Sequence, residues 1–232
     1  MSKNKITFSC SDESIFENYP PIPAGRMIPD WYKEIPPFAP VDKKYIPTEN
    51  IGSVKKCMPV LDYMRTGYII RNPFQSVIKS KIEDGFHGAA HASAKKDFIG
   101  ANPHQQCPIS IEGKKSHYVK IHQPWMIKTP PGYSSFYFQP HYFFNKKLEI
   151  LPGIIDTDKF TEPVSLVSIL HANEVILDPG DPLVVVFPFK RESWEMELKK
   201  VDHLPTSIFK FMLLKIWHGT YQRLIHSKKY FT

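Results

Sequence analysis

Proline is the residue that most restricts how this chain can fold, because it is twice as frequent as glycine, with 22 prolines against 11 glycines. A proline inside a helix or a central strand removes a backbone hydrogen bond. The composition therefore favours short strands joined by stiff, extended connections. A hydrophobic content of 42% and a charged content of 23% are ordinary for a folded protein, so such strands have enough apolar side chains to build a core.

Short strand patterns follow one another closely in the second half of the chain. Each is a run of a few apolar or alternating residues bounded by proline or glycine turns, which is typical of an all-β sandwich or barrel. The runs cover residues 118–121, 125–128, 135–138, 148–151, 164–170, 174–177 and 183–187. The sequence therefore predicts a mainly β fold.

The chain divides into three parts by composition. Residues 1–50 are rich in proline and predict an extended N-terminal arm, and residues 51–190 predict the all-β core. Within the core, the polar stretch 84–116 is predicted to be an insertion loop. Residues 191–232 predict a C-terminal helical segment, with helices over 192–200 and, after Pro205, over 207–229.

Cysteine use and charge restrict the setting and the partners. Cys10, Cys57 and Cys107 are scattered and lack CxxC spacing, which favours reduced thiols and a cytosolic setting. No signal core or membrane-spanning apolar stretch is present in the sequence, so we expect no membrane partner. The formal charge of +7 comes from scattered lysine pairs rather than one tract, so nucleic acid stays an open but weakly supported alternative.

Three short motifs carry a family resemblance. They are Thr129-Pro130-Pro131-Gly132-Tyr133, Gly153-Ile154-Ile155-Asp156-Thr157-Asp158 and Gly180-Asp181-Pro182-Leu183. Their order and spacing resemble the core of the dUTPase and dCTP-deaminase superfamily, which implies a β-clip-like sandwich or barrel. The resemblance also implies that Asp156 orients an attacking water, and that an aromatic residue three positions later stacks beneath the base.

The chain departs from that superfamily at most positions that contact nucleotide. Lys159 stands where the stacking tyrosine is expected, and His141 and Tyr142 replace an arginine and a serine that grip phosphate. A glycine-rich C-terminal arm and a core-strand glutamine are also missing from the sequence. We therefore predict that Asp156 and Asp158 accept local backbone hydrogen bonds at a turn. The alternative is that they hold water or Mg²⁺ for catalysis.

Histidines offer a second candidate site. His87 and His91 are four residues apart, the spacing that places two imidazoles on one helix face, and His104 could add a third metal ligand. The sequence contains neither a His-Glu-x-x-His motif nor the His-x-His signature of cupins. We therefore predict loop histidines with ordinary hydrogen bonds and no cofactor, and keep a cupin-like metal-dependent enzyme as the weaker alternative.

Over nearly its full length the chain resembles an uncharacterised family of tailed bacteriophages, notably cyanophages. The carriers include Pro29-Asp30-Trp31-Tyr32-Lys33, Trp125-x-Ile127-Lys128-Thr129-Pro130-Pro131-Gly132-Tyr133-Ser134 and Pro188-Phe189-Lys190-Arg191. The resemblance implies a protein of the host cytoplasm or of the virion. Because β-clip folds include phage head-decoration proteins, we predict a non-enzymatic binding or structural protein. The alternative is a divergent nucleotide hydrolase of the dUTPase or dCTP-deaminase type.

The two ends of the chain are predicted to make protein contacts. Aromatic anchors are common at the centres of interfaces, and both ends carry more of them than a β core needs. The predicted interface residues are Trp31, Tyr32 and Phe38 on the arm, with Phe209, Leu213 and Trp217 on the last helix. The expected assembly is a homo-oligomer, a trimer by analogy with β-clip relatives, or a complex with other virion proteins.

Overall fold

The computed structural model describes residues 4–39, 51–83, 86–101, 110–111, 114–115, 117–201 and 221–232. It divides the chain into two compact units. The first unit comprises Met1–Ala24 and Gly67–Arg191, and the second comprises Gly25–Thr66 and Glu192–Thr232. Several antiparallel sheets make up most of the first unit, so the prediction of a mainly β fold is confirmed.

A five-stranded antiparallel sheet forms one wall of the first unit. Its strands, in spatial order, are β15 (Gly153–Ile155), β13 (Tyr133–Phe138), β18 (Pro182–Lys190), β5 (Tyr68–Arg71) and β2 (Ile22–Pro23). The long strand β18 lies at the centre and pairs with β13 on one side and β5 on the other. Its run of buried valines is what a central strand covered on both faces requires.

Two further sheets complete the core. The four-stranded sheet has the order β14 (Leu148–Ile150), β16 (Ser165–Leu170), β11 (His117–His122) and β8 (Ile99–Ala101). The three-stranded sheet consists of β17 (Glu174–Leu177), β6 (Ser76–Glu83) and β7 (Phe86–Ser93). Side chains from all three sheets meet in one buried cluster that includes Ile70, Ile78, Val119, Ile121 and Val184. This apolar cluster is the main source of stability in the first unit.

The remaining elements are short, and their strands form separate two-stranded ladders. Two ladders are β1 (Thr7–Ser9) with β12 (Met126–Lys128), and β9 (Ser110–Ile111) with β10 (Lys114–Lys115). In the second unit, β3 (Phe38–Ala39) pairs with β4 (Ile51–Gly52). The described residues form three α-helices, α1 (Glu13–Asn18), α2 (Asp30–Glu34) and α3 (Met58–Met64). The 3₁₀ turns are Ala24–Arg26, Val54–Lys56 and His141–Phe143, and Tyr221–Ile225 is a π-helical turn. No helix in this described part of the chain is long and apolar enough to cross a membrane.

The prediction of an insertion loop over 84–116 is wrong for its first half. Strand β7 pairs along its whole length with β6, and β8 joins the four-stranded sheet. The sequence of β7 contains Gly88 and three alanines, residue types with weak strand preference. Its pairing with the alternating strand β6 determines its conformation instead, so tertiary contacts override local preference.

The first half of the predicted N-terminal arm is part of the fold. Strand β1 pairs with β12, strand β2 pairs with β5, and Ile15 of α1 is 2% exposed in the core. An arm that lies over another subunit is therefore the wrong description for residues 4–24. Their prolines lie just before or within the short edge strand β2, where a missing N–H is tolerated.

The prediction of a helix over 192–200 is also wrong, because residues 192–201 adopt neither helix nor strand. Their large apolar residues Trp194, Met196 and Leu198 recur every second position. At 100° per residue, a helix would place Met196 on the side opposite the other two and would create no apolar face. The second predicted helix lies mostly outside the described residues; its described end is the π-helical turn, and residues 226–232 are irregular.

Candidate functional site

The turn that follows β15 carries both predicted acidic residues. The carbonyl of Asp156 accepts the N–H groups of Lys159 at 2.9 Å and Phe160 at 2.8 Å. These two bonds close a tight turn directly after the strand. Asp156 and Asp158 therefore have fixed backbone positions at one end of the first unit.

Arg191 binds the carboxylate of Asp158 from the far end of β18. Its Nη1 donates to Oδ1 of Asp158 at 2.8 Å, and its Nη2 donates to Oδ2. The N–H of Gly132 donates to the same Oδ2 at 2.8 Å. The side chain of Asp158 is only 6% exposed. We call this group of Gly132, Asp158 and Arg191 the clasp.

The clasp is held by backbone as well as side-chain bonds. The N–H of Arg191 donates to the carbonyl of Gly132 at 2.9 Å, and its Nη1 donates to the carbonyl of Tyr133 at 3.0 Å. Gly132 has a φ of +86°, a conformation that favours glycine. A bidentate guanidinium–carboxylate pair with this many supporting bonds is among the strongest polar contacts proteins make.

Asp156 is more open than Asp158. Its Oδ1 accepts from the hydroxyl of Ser134 at 2.6 Å and from Nη1 of Arg191 at 3.2 Å, while 51% of its side chain is exposed. Both acidic side chains therefore converge on one guanidinium. A metal ion or an ordered water would compete with that guanidinium for the same carboxylates.

Hydrogen bonding keeps both carboxyl groups ionised. The bond from Arg191 lowers the pKa of Asp158 well below its ordinary range, against the opposing effect of burial, and Gly132 lowers it further. The bond from Ser134 is the largest cause that lowers the pKa of Asp156. The pKa of Arg191 is raised, first by its bond to Asp158. A carboxyl with a depressed pKa is a poor general base near neutral pH.

Three buried hydroxyl groups that bond to one another support the turn. Thr157 Oγ1 lies 2.8 Å from Thr129 Oγ1 and 2.9 Å from Ser135 Oγ, and the N–H of Thr129 donates to the carbonyl of Thr157 at 3.2 Å. All three residues are at most 5% exposed. Buried hydroxyls that satisfy one another fix a single local arrangement, so the turn is held rigidly against β13.

A groove of about 570 Å³ lies beside the turn. It is lined by residues of β11, β13 and β15 together with the start of β16. Tyr137 lies in this lining and is 2% exposed. Its hydroxyl has no hydrogen-bond partner within the described part of the chain, and burial raises its pKa. The groove has the size of a small-ligand pocket, with mostly apolar walls.

The histidines do not form the arrangement that their spacing predicts. His87 and His91 lie on strand β7 rather than on a helix, so their Cα atoms are ~13 Å apart instead of the ~6 Å of a helix. His104 lies outside the described residues. The described residues contain no group of three or more His, Cys, Asp or Glu side chains placed to hold a metal ion.

The predicted interface residues differ in their accessibility. Tyr32 is 4% exposed, and its hydroxyl donates to the carbonyl of Lys55 at 3.4 Å within the second unit. Such burial does not fit the prediction that Tyr32 contacts a partner. Trp31 is half-buried, and Phe38 is 37% exposed with Lys56 over its ring. Phe209, Leu213 and Trp217 lie outside the described residues.

The sequence interpretation missed Arg191, the residue that organises the acidic turn. Arg191 follows directly after strand β18. A basic residue directly after this strand was the only feature of the sequence that could have indicated its role. Its partner Asp158 is 33 positions away. The contact arises only because β13 pairs with β18 and brings the end of β18 next to the turn at Gly132.

Comparisons with known proteins give little further information. No family model matches the chain, and no curated protein matches it. Among solved structures, the chain is similar to the native dUTPase of EIAV, with 11% sequence identity over 60% of this chain and 87% of that one. The TM-score is 0.34, and a likeness of that strength carries no argument about activity or assembly.

Proposed function

We propose that this chain is a non-enzymatic binding or structural protein that assembles with further copies of itself. The observation that carries the proposal is an exposed apolar stripe in the second unit. Trp194, Met196 and Leu198 are 88%, 80% and 84% exposed. Large side chains this open and this close together are typical of contact surfaces.

The spacing of the stripe indicates how it binds. Apolar residues alternate with Glu195, Glu197 and Lys199, which is the pattern of a β-strand with one apolar face. The segment pairs with no strand in the described part of the chain. Burying the three apolar side chains would contribute about 1.5–3 kcal/mol each.

A second copy of the chain is the partner that best fits this pattern. Among the described strands, β2 and β15 lie at the two edges of the five-stranded sheet, and β7 lies at one edge of the three-stranded sheet. An open sheet edge accepts an added strand through backbone hydrogen bonds. The β-clip resemblance favours three copies, and the phage resemblance favours a place in the virion or in the host cytoplasm.

The clasp supports a binding role over a hydrolytic one. A nucleotide hydrolase of the resembling superfamily needs a carboxylate that is free to orient water and cations that are free to contact phosphate. Here Arg191 takes up both carboxylates, and Lys159 replaces the stacking ring. A cupin-like metal enzyme has still less support, because His87 and His91 lie on a strand.

Light scattering coupled to size-exclusion chromatography tests the assembly. We expect three copies of the 26.9-kDa chain per particle. Replacing Trp194, Met196 and Leu198 together by serine should yield monomers. Ile176→Ser is the control, since Ile176 is 53% exposed but lies on β17 in the first unit. A monomeric wild type, or an oligomer that survives the triple replacement, would contradict the proposal.

A nucleotide assay and a particle analysis separate the remaining alternatives. Incubation with dUTP or dCTP and Mg²⁺ should give no turnover. Turnover that disappears in Asp156→Asn would establish the hydrolase instead. Mass spectrometry of purified particles from the source phage should detect the chain if it belongs to the virion.

A further inference from the structure

A basic cleft lies within the second unit, apart from the site described above. It has a volume of about 670 Å³ and is formed by α3 and the C-terminal residues 222–230. Among the described residues of its lining, Arg65, Arg223, Lys228 and Lys229 are cationic, and Asp62 is the one carboxylate. Counting only its arginines, lysines and aspartate, this part of the lining carries a formal charge of +3. A concave surface with this excess of one charge concentrates the opposite charge.

Asp62 is held by hydrogen bonds within the second unit and compensates only one of the four cations. Its carboxylate accepts from Nε2 of His226 at 2.9 and 3.0 Å and from Nζ of Lys229 at 2.7 Å, and it is 18% exposed. Burial acts to raise the pKa of Asp62, but these hydrogen bonds outweigh it and lower the pKa. Asp62 therefore fixes the C-terminal segment against α3 and orients two of the basic side chains.

The other three cations remain available. Within the ranges that the structure describes, Arg65, Arg223 and Lys228 form no ion pair with a carboxylate. Two of them are arginines, whose planar guanidinium matches the oxygens of a phosphate group in a bidentate manner. The same lining includes apolar surface from Met58 and Leu61 and the ring of Tyr230. The cleft thus offers both an anion site and an apolar wall.

We infer that this cleft binds a small organic phosphate, a ligand with one or more phosphate groups on a compact apolar or ring-shaped body. The volume lies in the range of small-molecule pockets. Nucleic acid fits less well, because binding along a strand needs basic residues spread over a long surface, and these are gathered in one cleft. The inference is independent of the assembly proposed above.

Isothermal titration calorimetry with pyrophosphate as the probe tests the inference on the full-length chain. We expect one site per chain, with affinity that falls as salt rises. Arg65→Gln and Arg223→Gln should each weaken binding about tenfold, the usual effect of losing one charge-assisted hydrogen bond. Lys200→Gln is the matched control, because Lys200 is exposed in the same unit and does not line the cleft.

Several results would overturn the inference. Absence of pyrophosphate binding would do so, as would an equal loss of affinity in Lys200→Gln and the two arginine variants. A single-stranded 20-nucleotide oligonucleotide that binds more tightly than pyrophosphate, and depends on the same arginines, would identify a nucleic-acid surface instead. Unchanged thermal midpoints in all variants would show that any change in affinity does not come from unfolding.

Discussion

Replacing Tyr137 by phenylalanine should make the protein more stable. Tyr137 lies within β13 with 2% of its surface exposed, and no group in the described ranges bonds to its buried hydroxyl. Such an unsatisfied polar group costs about 1–3 kcal/mol in desolvation. Phenylalanine keeps the ring and removes the hydroxyl. We therefore expect the free energy of unfolding to rise by an amount in that range, and the thermal midpoint to rise by about 2–4 °C per kcal/mol.

Tyr32→Phe is the matched comparison. Tyr32 is equally buried, but its hydroxyl donates to the carbonyl of Lys55 at 3.4 Å. Removing a hydroxyl with a partner should lower the free energy of unfolding by up to about 1 kcal/mol, because a carbonyl then loses its donor. Urea denaturation and calorimetry of both variants beside the wild type should show opposite signs.

Alkaline unfolding gives a second measurement on Tyr137. Burial raises the pKa of Tyr137 above the value of tyrosine in the unfolded chain, which is about 10. A raised pKa in the folded state means that stability is fully present below pH 10 and is lost as the pH rises further. The decline above pH 10 should be shallower in Tyr137→Phe. If Tyr137→Phe is instead less stable than the wild type at neutral pH, the hydroxyl has a partner in solution and the reasoning is wrong.

Further variants test the backbone, the core and the clasp by urea denaturation. Gly67→Ala should be severely destabilising, because φ is +75° and a Cβ would lie 2.4 Å from a carbonyl oxygen of β18, whereas Gly132→Ala should cost only about 1–2 kcal/mol, since nothing lies within 4 Å. Ile70→Ala, at a fully buried position, should cost about 2–5 kcal/mol. Arg191 lowers the pKa of Asp158, so the stabilisation that this carboxylate gives is present above about pH 4 and is lost as the pH falls. Asp158→Asn should therefore be less stable than the wild type at pH 7 and lose less stability in acid.

The core strands were predictable because their own side chains define them. The run at 164–170 becomes β16 (Ser165–Leu170), and the run at 174–177 coincides with β17. Strand β17 alternates between exposed and buried positions, as burial on one face requires, and the second half of β16 is buried throughout, as burial on both faces requires. Where burial dictates the sequence of a strand, the sequence alone identifies the strand.

The apolar pattern alone does not identify strand β7 or the conformation of the stripe segment 192–201. Apart from Phe86, strand β7 lacks bulky apolar residues, and its eight residues are ordered by a partner strand that local sequence does not reveal. In 192–201, glutamate and lysine favour a helix, while the apolar residues recur with period 2. Composition and periodicity conflict there, and the segment adopts neither helix nor strand.

The acidic turn illustrates why a site is harder to predict than a strand. The motif placed Asp156 and Asp158 at a turn, and the structure has them there. What the motif omits is the cation, because Arg191 reaches the turn only through the pairing of β13 with β18. A carboxylate pair without its cation resembles a water or metal site, and the same pair with its cation is an ion-pair network.

The presence of Arg191 beside the two carboxylates also determines where a ligand would bind in the first unit. The carboxylate of Asp158 receives three donors, two from Arg191 and one from Gly132, so a ligand would first have to break the clasp. Removing Asp158 from Arg191 would leave the guanidinium with Asp156, which is half-exposed and holds it through a single oxygen. A ligand in the groove beside the turn would leave the clasp intact, because no clasp residue lines the groove. The wall strand β15 ends at the turn that the clasp holds rigid. The acidic residues therefore affect the groove only indirectly, by holding the end of its wall strand β15 in place.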